Sequence, residues 1–212
     1  MTETERFAAR PVPLPELYDR EFFVELGAAN PVYASACDVI AGEMFGRFAP
    51  RSVVDWGCGA GLHAAALVAR GADVVGVDGV RVDDDLRAPG VRIEIADLTE
   101  PIGPPTVPER YDLSLCIDVL EHIEEPQSDQ VLRNLCRGAD LVILSCAPPH
   151  QGGHHHVNEQ PRRYWVKRMA GLGWRYDRRE AGAMERSFLG MRDRLPWTWM
   201  YHNLCVYRPE DG

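Results

Sequence analysis

Ser52-Val53-Val54-Asp55-Trp56-Gly57-Cys58-Gly59-Ala60-Gly61 is the stretch on which the reading of this chain turns. Two β-branched residues, an acid and then glycine at three alternate positions describe a buried strand running into a tight turn. Ala, Leu and Val dominate from Leu62 to Arg70, so a helix follows at once. A strand, glycine loop and helix in succession let a ligand lie against bare backbone, because glycine has no Cβ to hold it off. Taken alone, the unit implies a nucleotide-like ligand and no more.

Outward from that loop the pattern repeats. Ala72 to Asp78 is a second buried strand ending in an acid, and Val91 to Asp97 alternates as a third with the same ending. Tyr111 to Asp118 is a fourth, and Leu141 to Cys146, apolar throughout, a fifth. Between the last two, Val131, Leu132 and Leu135 fall at helical spacing, with Gly138 as the stop. Pro161 opens a helix through Met169, closed by Gly171 and Gly173, on which Trp165 reads as core. Trp174 to Asp177 and Met200 to Tyr207 make an edge-forming pair of strands. Alternating strands and helices imply an α/β, Rossmann-like doubly wound sheet of seven strands, parallel with one antiparallel edge strand.

Upstream, residues 1–15 are expected to be a loosely held arm. Tyr18, Phe22 and Phe23 share a helical face between Glu16 and Gly27. A better helix starts at Pro31, with Val32, Ala36, Val39, Ile40, Met44 and Phe45 on its apolar stripe and Pro50 as its end. The expected organisation is one domain: residues 1–50 as arm and helical lid, residues 51–212 as core, with an insertion around 178–199. That insertion carries Phe188, Met191, Trp197 and Trp199, and aromatics in so long a connection point to function rather than disorder. Trp197 and Trp199 are equally suited to stacking on a sugar or aromatic ring and to packing in the core.

The 212 residues suit one compact domain, and 45% apolar with 26% charged residues is ordinary for a globular protein. No apolar run approaches a membrane span, and Met1-Thr2-Glu3-Thr4-Glu5 lacks the basic and apolar regions of a signal peptide. The six scattered cysteines contain no CxxC pair. A reduced, cytoplasmic protein is expected. A net charge of −9 disfavours a nucleic-acid partner, since phosphate backbones demand clustered Lys and Arg. Arginines do gather late, at Arg162, Arg163, Arg168, Arg175, Arg178 and Arg179, where they read as a solvated face or as a patch for an acidic small molecule.

In an open α/β sheet the ligand lies across the carboxyl ends of the strands, where Asp55, Asp78 and Asp97 fall. Asp78 is placed to accept both hydroxyls of a ribose, a role that needs a carboxylate because two hydroxyls present two donors. Asp97, followed by Leu98, is placed to accept from an adenine amino group. Each acid has a plainer reading as a helix cap or turn residue. Three in register after Gly57, Gly59 and Gly61 favour the ligand.

These residues carry a resemblance. The stretch from Val53 to Gly61, then Val77-Asp78, Ala96-Asp97-Leu98 and Asp118-Val119-Leu120-Glu121-His122-Ile123, resembles the successive motifs of class I S-adenosylmethionine-dependent methyltransferases over residues 52–148. The resemblance implies that Asp55 and the glycines hold the methionine part of S-adenosylmethionine, Asp78 the ribose, and Asp97 with Leu98 the adenine. Ile117 and Asp118 would line the floor beside the sulfonium. A nicotinamide-dependent dehydrogenase shares the glycine turn and ribose acid, but not the acid two residues before the first glycine or the Val-Leu-Glu-His that follows the fourth strand. A methyltransferase-like binding partner without activity would keep the same ligand acids.

A sulfonium methyl is already activated, so the protein mainly has to hold a nucleophile behind it. A hydroxyl nucleophile also needs a base or a metal to take its proton, whereas an amine needs only orientation and desolvation. His122 and the run His150-Gln151-Gly152-Gly153-His154-His155-His156-Val157-Asn158-Glu159 emerge at the edge where the methyl group would sit. His122, His155 and His156 are the candidate bases. In a second reading Asp118, Glu121, His122 and His156 surround a divalent metal. That spacing is similar to the metal-dependent 2′-O-methyltransferases of small RNAs and, more loosely, to ubiquinone-pathway O-methyltransferases. In a third, Glu121 and His122 only anchor a loop. The segment 153–165 also resembles a loop of methyltransferases that modify glycans or natural products. The expected activity is methyl transfer to a small molecule, at oxygen, with N-methylation as the alternative. A homodimer is compatible with every one of these readings.

Overall fold

A strand buried on both faces must carry apolar residues at successive positions, and Val53-Val54 and Val74-Val75 satisfy this at the centre of the sheet. The computed structural model describes residues 13–210, so most of the expected N-terminal arm lies outside the described residues. Seven strands form one sheet: β1 (Ser52–Trp56), β2 (Asp73–Asp78), β3 (Arg92–Ile95), β4 (Tyr111–Cys116), β5 (Ala139–Leu144), β6 (Trp174–Tyr176) and β7 (Cys205–Pro209). Their order is β3-β2-β1-β4-β5-β7-β6. β1 pairs in parallel with β2 (Val53 beside Val74) and with β4 (Val53 beside Leu113). From β1 the chain steps outward to β3, then returns across the sheet to β4. The direction of winding therefore reverses between β1 and β4, which opens a crevice above their carboxyl ends.

β6 and β7 form one edge of the sheet, as their sequences suggest, but the antiparallel member is not outermost. β7 runs against both β5 and β6 and lies between them (Ile143 beside Val206, Arg175 beside Arg208). The strand expected from Met200 starts only at Cys205. Ahead of it, Trp199 to His202 turn as a short helix that buries Met200 and Tyr201.

The helices are α1 (Leu14–Leu17), α2 (Arg20–Glu25), α3 (Pro31–Phe48), α4 (Leu62–Val68), α5 (Ser128–Cys136), α6 (Arg162–Gly171), α7 (Arg178–Gly190) and α8 (Trp199–His202). α3, α4, α7 and α8 cover one face of the sheet, where Ile40, Met44, Leu67, Met184 and Phe188 meet Val53, Leu113 and Ile143. α5 and α6 cover the other, where Leu132, Leu135, Trp165 and Met169 meet Val54, Val142 and Leu144. Residues 53 and 54 thus enter opposite cores, as strand alternation requires.

α3 starts where Asn30 accepts from the backbone N–H of Val32 and Tyr33, each at 3.1 Å, a cap of about 1 kcal/mol. Its buried stripe is Ala36, Val39, Ile40 and Met44; Val32, expected on it, is 53% exposed. The stretch around 178–199 is not a long loop. α7 occupies most of it, within the connection from β6 to β7, with Ala181, Met184 and Phe188 buried at helical spacing. Among the described residues no helix is long and apolar enough to cross a membrane.

Candidate active site

The crevice between β1 and β4 opens into a cavity of about 840 Å³. Its floor is the glycine loop. Gly57, Gly59 and Gly61 all have positive φ (70°, 52° and 76°). At Gly57 a second reason for glycine is visible, because a Cβ there would come within 2.3 Å of Val119 Cγ2. The N–H groups of Gly57 and Cys58 donate to Val77 O at 2.7 and 3.2 Å, and the Gly59 N–H donates to Asp78 Oδ2 at 2.7 Å. The loop is thereby locked to the end of β2. Asp78 Oδ1 accepts from the Val80 N–H at 2.8 Å, so both oxygens of this carboxylate are aimed by backbone.

Asp55, Asp78, Asp97, Leu98, Ile117 and Asp118 all line this cavity with Gly57 and Gly59; Gly61 caps α4 just beyond. Asp55 is buried, its Oδ2 has no partner among the described residues, and burial with the nearby Asp78 carboxylate pushes its pKa up to about 7. Asp97 is exposed and turns its Oδ1 onto the N–H and hydroxyl of Thr99 (2.9 and 2.6 Å), which fixes the side chain beside buried Leu98. Ile117 is buried. Asp118 stands at φ 53°; its N–H donates to Ser145 Oγ (2.8 Å), whose hydroxyl donates back to Asp118 Oδ1 (2.9 Å). Burial holds the Asp118 carboxyl above the ordinary range.

The opposite wall is built by a single 3-10 turn, Leu120–His122, and the loop that follows β5. Glu121 O accepts from the N–H groups of Val157 and Asn158 (2.9 and 3.0 Å), and Asn158 Nδ2 donates to Ser128 Oγ at 2.9 Å. These bonds draw the histidine run against the turn. One ligand atom from each of Glu121, His122 and His156 lies within 4.8 Å of the others. Glu121 Oε2 and His122 Nδ1 are shut off from solvent without a hydrogen-bond partner among the described residues. Burial, then the Asp118 charge, hold the Glu121 carboxyl above its ordinary pKa. Burial, then His156, push His122 down to about 4, so its imidazole is neutral at physiological pH. Asp118, expected as a fourth member, is not brought into this group, because Ser145 and its own backbone hold it beside the cavity floor. Of the three candidate bases, His122 and His156 are half-buried in the cavity wall. His155 is exposed, at φ 53°, with its ring edge-on to His154 at 4.8 Å.

Over the cavity lie α1 and α2. Tyr18 approaches His122 (ring centroids 5.7 Å) and His154 (5.8 Å), Phe22 approaches His154 (5.1 Å), and His154 Nε2–H donates to Leu17 O at 2.5 Å. The aromatic face expected from Glu16 to Gly27 is split, because Asp19 caps a new helix by accepting from the Phe22 N–H. Tyr18, Phe22 and Phe23 nevertheless all line the cavity, with Phe23 buried. Trp199 reaches the cavity, whereas Trp197 lies between Tyr33 and Trp199, tilted against both rings. Among the described residues no lysine or arginine lines it. The late arginines stay outside: Arg162 donates to His202 O, Arg168 pairs with Asp129, and Arg175, Arg178 and Arg179 are exposed.

The sequence model of a methyltransferase domain matches residues 32–189, from the start of α3 to the last turn of α7. The chain belongs to the methyltransferase domain family. Among curated relatives of this methyltransferase domain, a protein named ubiquinone biosynthesis O-methyltransferase from Pseudomonas savastanoi pv. phaseolicola (strain 1448A / Race 6) is 33% identical over 118 residues, which cover 52% of this chain and 48% of its own. One of the same name from Nitrosomonas europaea is 28% identical over 151 residues, 67% of this chain and 57% of its own. The chain spans about half the length of the curated relatives it matches. Burkholderia thailandensis 1,6-didemethyltoxoflavin-N1-methyltransferase, solved with S-adenosylhomocysteine, superposes with a TM-score of 0.57 at 17% identity over 95% of this chain and 92% of its own. Magnesium protoporphyrin IX methyltransferase from Synechocystis PCC 6803, solved with S-adenosylmethionine, does so with 0.57 at 18% identity, over 92% and 88%. At these identities the likeness is one of fold.

With the family match over residues 32–189 the dehydrogenase alternative falls away, and the position of β7 between β5 and β6 departs from the 3-2-1-4-5-6 order of dinucleotide-binding sheets. Sequence reasoning missed several residues of the methyltransferase domain's cavity. His63 lines it with Nε2 buried and without a partner among the described residues, and burial pushes its pKa down to about 4. Its only signal was a histidine two residues past the last glycine of the turn. Ser145, which stands behind the cavity wall, carried none, since it acts through Asp118, 27 residues away.

Proposed function

We propose that this methyltransferase domain transfers the methyl group of S-adenosylmethionine to a hydroxyl oxygen of an uncharged small molecule. The observation that carries the reading is the pairing of two walls in one cavity: the glycine loop with Asp55 and Asp78, and facing it Glu121, His122 and His156. The cradle fits the cofactor, since Gly59 in the loop lines the cavity with no backbone or side-chain atom closer than 3.5 Å to its Cβ position, and Asp55 Oδ2, without a partner among the described residues, offers an acceptor for its ammonium group. Asp78 holds the ribose hydroxyls, Asp97 and Leu98 flank the adenine, and Ile117 and Asp118 line the floor. When bound, S-adenosylmethionine supplies a methyl already activated by its sulfonium. α1 and α2 act as a lid whose aromatic side chains exclude water from the acceptor.

Transfer at oxygen needs a place for the hydroxyl proton. His122 is too weak a base to serve and instead offers a lone pair, while His156 is the candidate acceptor. Glu121, His122 and His156 also fit a divalent cation: a carboxylate and two imidazoles, two of them with a buried donor atom that has no partner among the described residues. Such an ion would supply Lewis acidity toward an acceptor hydroxyl. The names of the curated relatives support oxygen as the acceptor atom. Among the described residues no lysine or arginine lines the cavity, which supports an acceptor without phosphate or carboxylate.

Calorimetric titration with S-adenosylmethionine, S-adenosylhomocysteine and NAD tests the cofactor, and binding of NAD but neither sulfur ligand overturns the reading. Labelled methyl transfer to a panel of phenols, sugars and amines tests the acceptor atom. Products methylated only at nitrogen would replace O-methylation by N-methylation.

A further inference from the structure

We propose that Glu159 is a positioning residue: its carboxylate fixes which nitrogen of His156 carries the proton and holds the His150–His156 loop in the shape that presents that ring. Glu159 Oε1 accepts from His156 Nδ1 at 2.9 Å and from the Gly152 N–H at 2.6 Å, while Oε2 accepts from the His150 N–H at 2.7 Å. A carboxylate at neutral pH can only accept, so Nδ1 is the protonated nitrogen, and a neutral ring keeps its lone pair on Nε2. An imidazole free in water favours the opposite tautomer.

The loop needs the same bonds. His150 (φ 71°), Gly152 (68°) and His155 (53°) all stand in the left-handed region, which is uncommon for a non-glycine residue and costs stability that neighbouring contacts offset. Two of the three bonds to Glu159 come from backbone inside this segment. On its other side the ring is closed in by Gly153, where a Cβ would lie 2.3 Å from His156 Nε2. A ring gripped at Nδ1 and crowded beside Nε2 has one orientation. A histidine that serves as base or metal ligand needs just such an oriented lone pair.

The catalytic consequence rests on the proposed role of His156, but the positioning itself is measured without it. Two-bond ¹H–¹⁵N spectra of the ¹⁵N-labelled protein at about pH 8.5, where imidazoles are neutral, report the tautomer of each histidine. The His156 signals are identified by their loss in His156→Asn. The expected result is an Nδ1–H ring in the native protein and a shift towards Nε2–H in Glu159→Ala. Mn²⁺ affinity is expected to fall about 10–100-fold in that variant, with S-adenosylhomocysteine binding retained. A tautomer unchanged by Glu159→Ala overturns the proposal. If that variant does not fold, the native spectrum decides alone, and an Nε2–H ring overturns it. A tautomer shift with no Mn²⁺ binding by either protein supports the positioning role and removes the metal reading instead.

Discussion

The Gly59 N–H donates to Asp78 Oδ2 at 2.7 Å, so the first glycine-rich loop and the end of the second strand are one unit. The proposed ribose acceptor and the loop beneath the cofactor therefore depend on each other. Asp78→Ala removes the acceptor and frees the loop together. We expect cofactor binding to weaken by about 1–3 kcal/mol in calorimetry. Undiminished binding by a folded variant would exclude Asp78 from the site.

Asp55 gives a pH signature. Its carboxyl is raised from 3.8 to about 7 by burial and by Asp78. Between those values the folded ligand-free protein binds more protons here than the unfolded chain. Stability from this group is thus full below the lower value and is lost as pH rises through about 7. A cationic ammonium partner favours the ionised form, so S-adenosylmethionine affinity should rise over the same window, with proton release. Calorimetry in buffers of different ionisation enthalpy measures that release, and Asp55→Asn should abolish it.

Gly153→Ala places a methyl group against the His156 ring. Because Glu159 grips the other side, the ring cannot turn away without breaking that bond. Methyl transfer should fall about 10–100-fold, the cost of misplacing a catalytic group by about an ångström. Cofactor affinity should not change, since the glycine loop and its acids are untouched. Equal loss of both would locate the damage in the fold instead.

Trp165 is 0% exposed and packs in the core beneath α6. Trp165→Ala should destabilise the protein by about 3–5 kcal/mol in denaturant unfolding. At temperatures where the variant is folded, its cofactor affinity should match that of the native protein. A large change in affinity with little change in stability would assign Trp165 to the site.

The parts legible in the chain were those whose information is local. Val53-Val54-Asp55 followed by alternate glycines describes a strand and turn within ten residues, and the acids ending Val77-Asp78 and Ala96-Asp97 follow at regular spacing. Strand order then brings those acids to one sheet edge. The charged residues and glycines of 178–190 obscured α7, although Ala181, Met184 and Phe188 carry its period. Asp19 broke the expected aromatic helix, because a cap competes locally with the apolar pattern.

Composition and pattern alone settled the doubly wound sheet, the position of the glycine loop and the acids beside it, because buried strands and tight turns write themselves in neighbouring residues. The partnerships of Glu121 and His122 with His156, of Asp118 with Ser145 and of His156 with Glu159 came from the folded chain. Each depends on a loop or turn whose bend has no periodic signature. His156 meets His122 because two backbone bonds to Glu121 O pull their segments together, and no spacing in the sequence records a hydrogen bond between them.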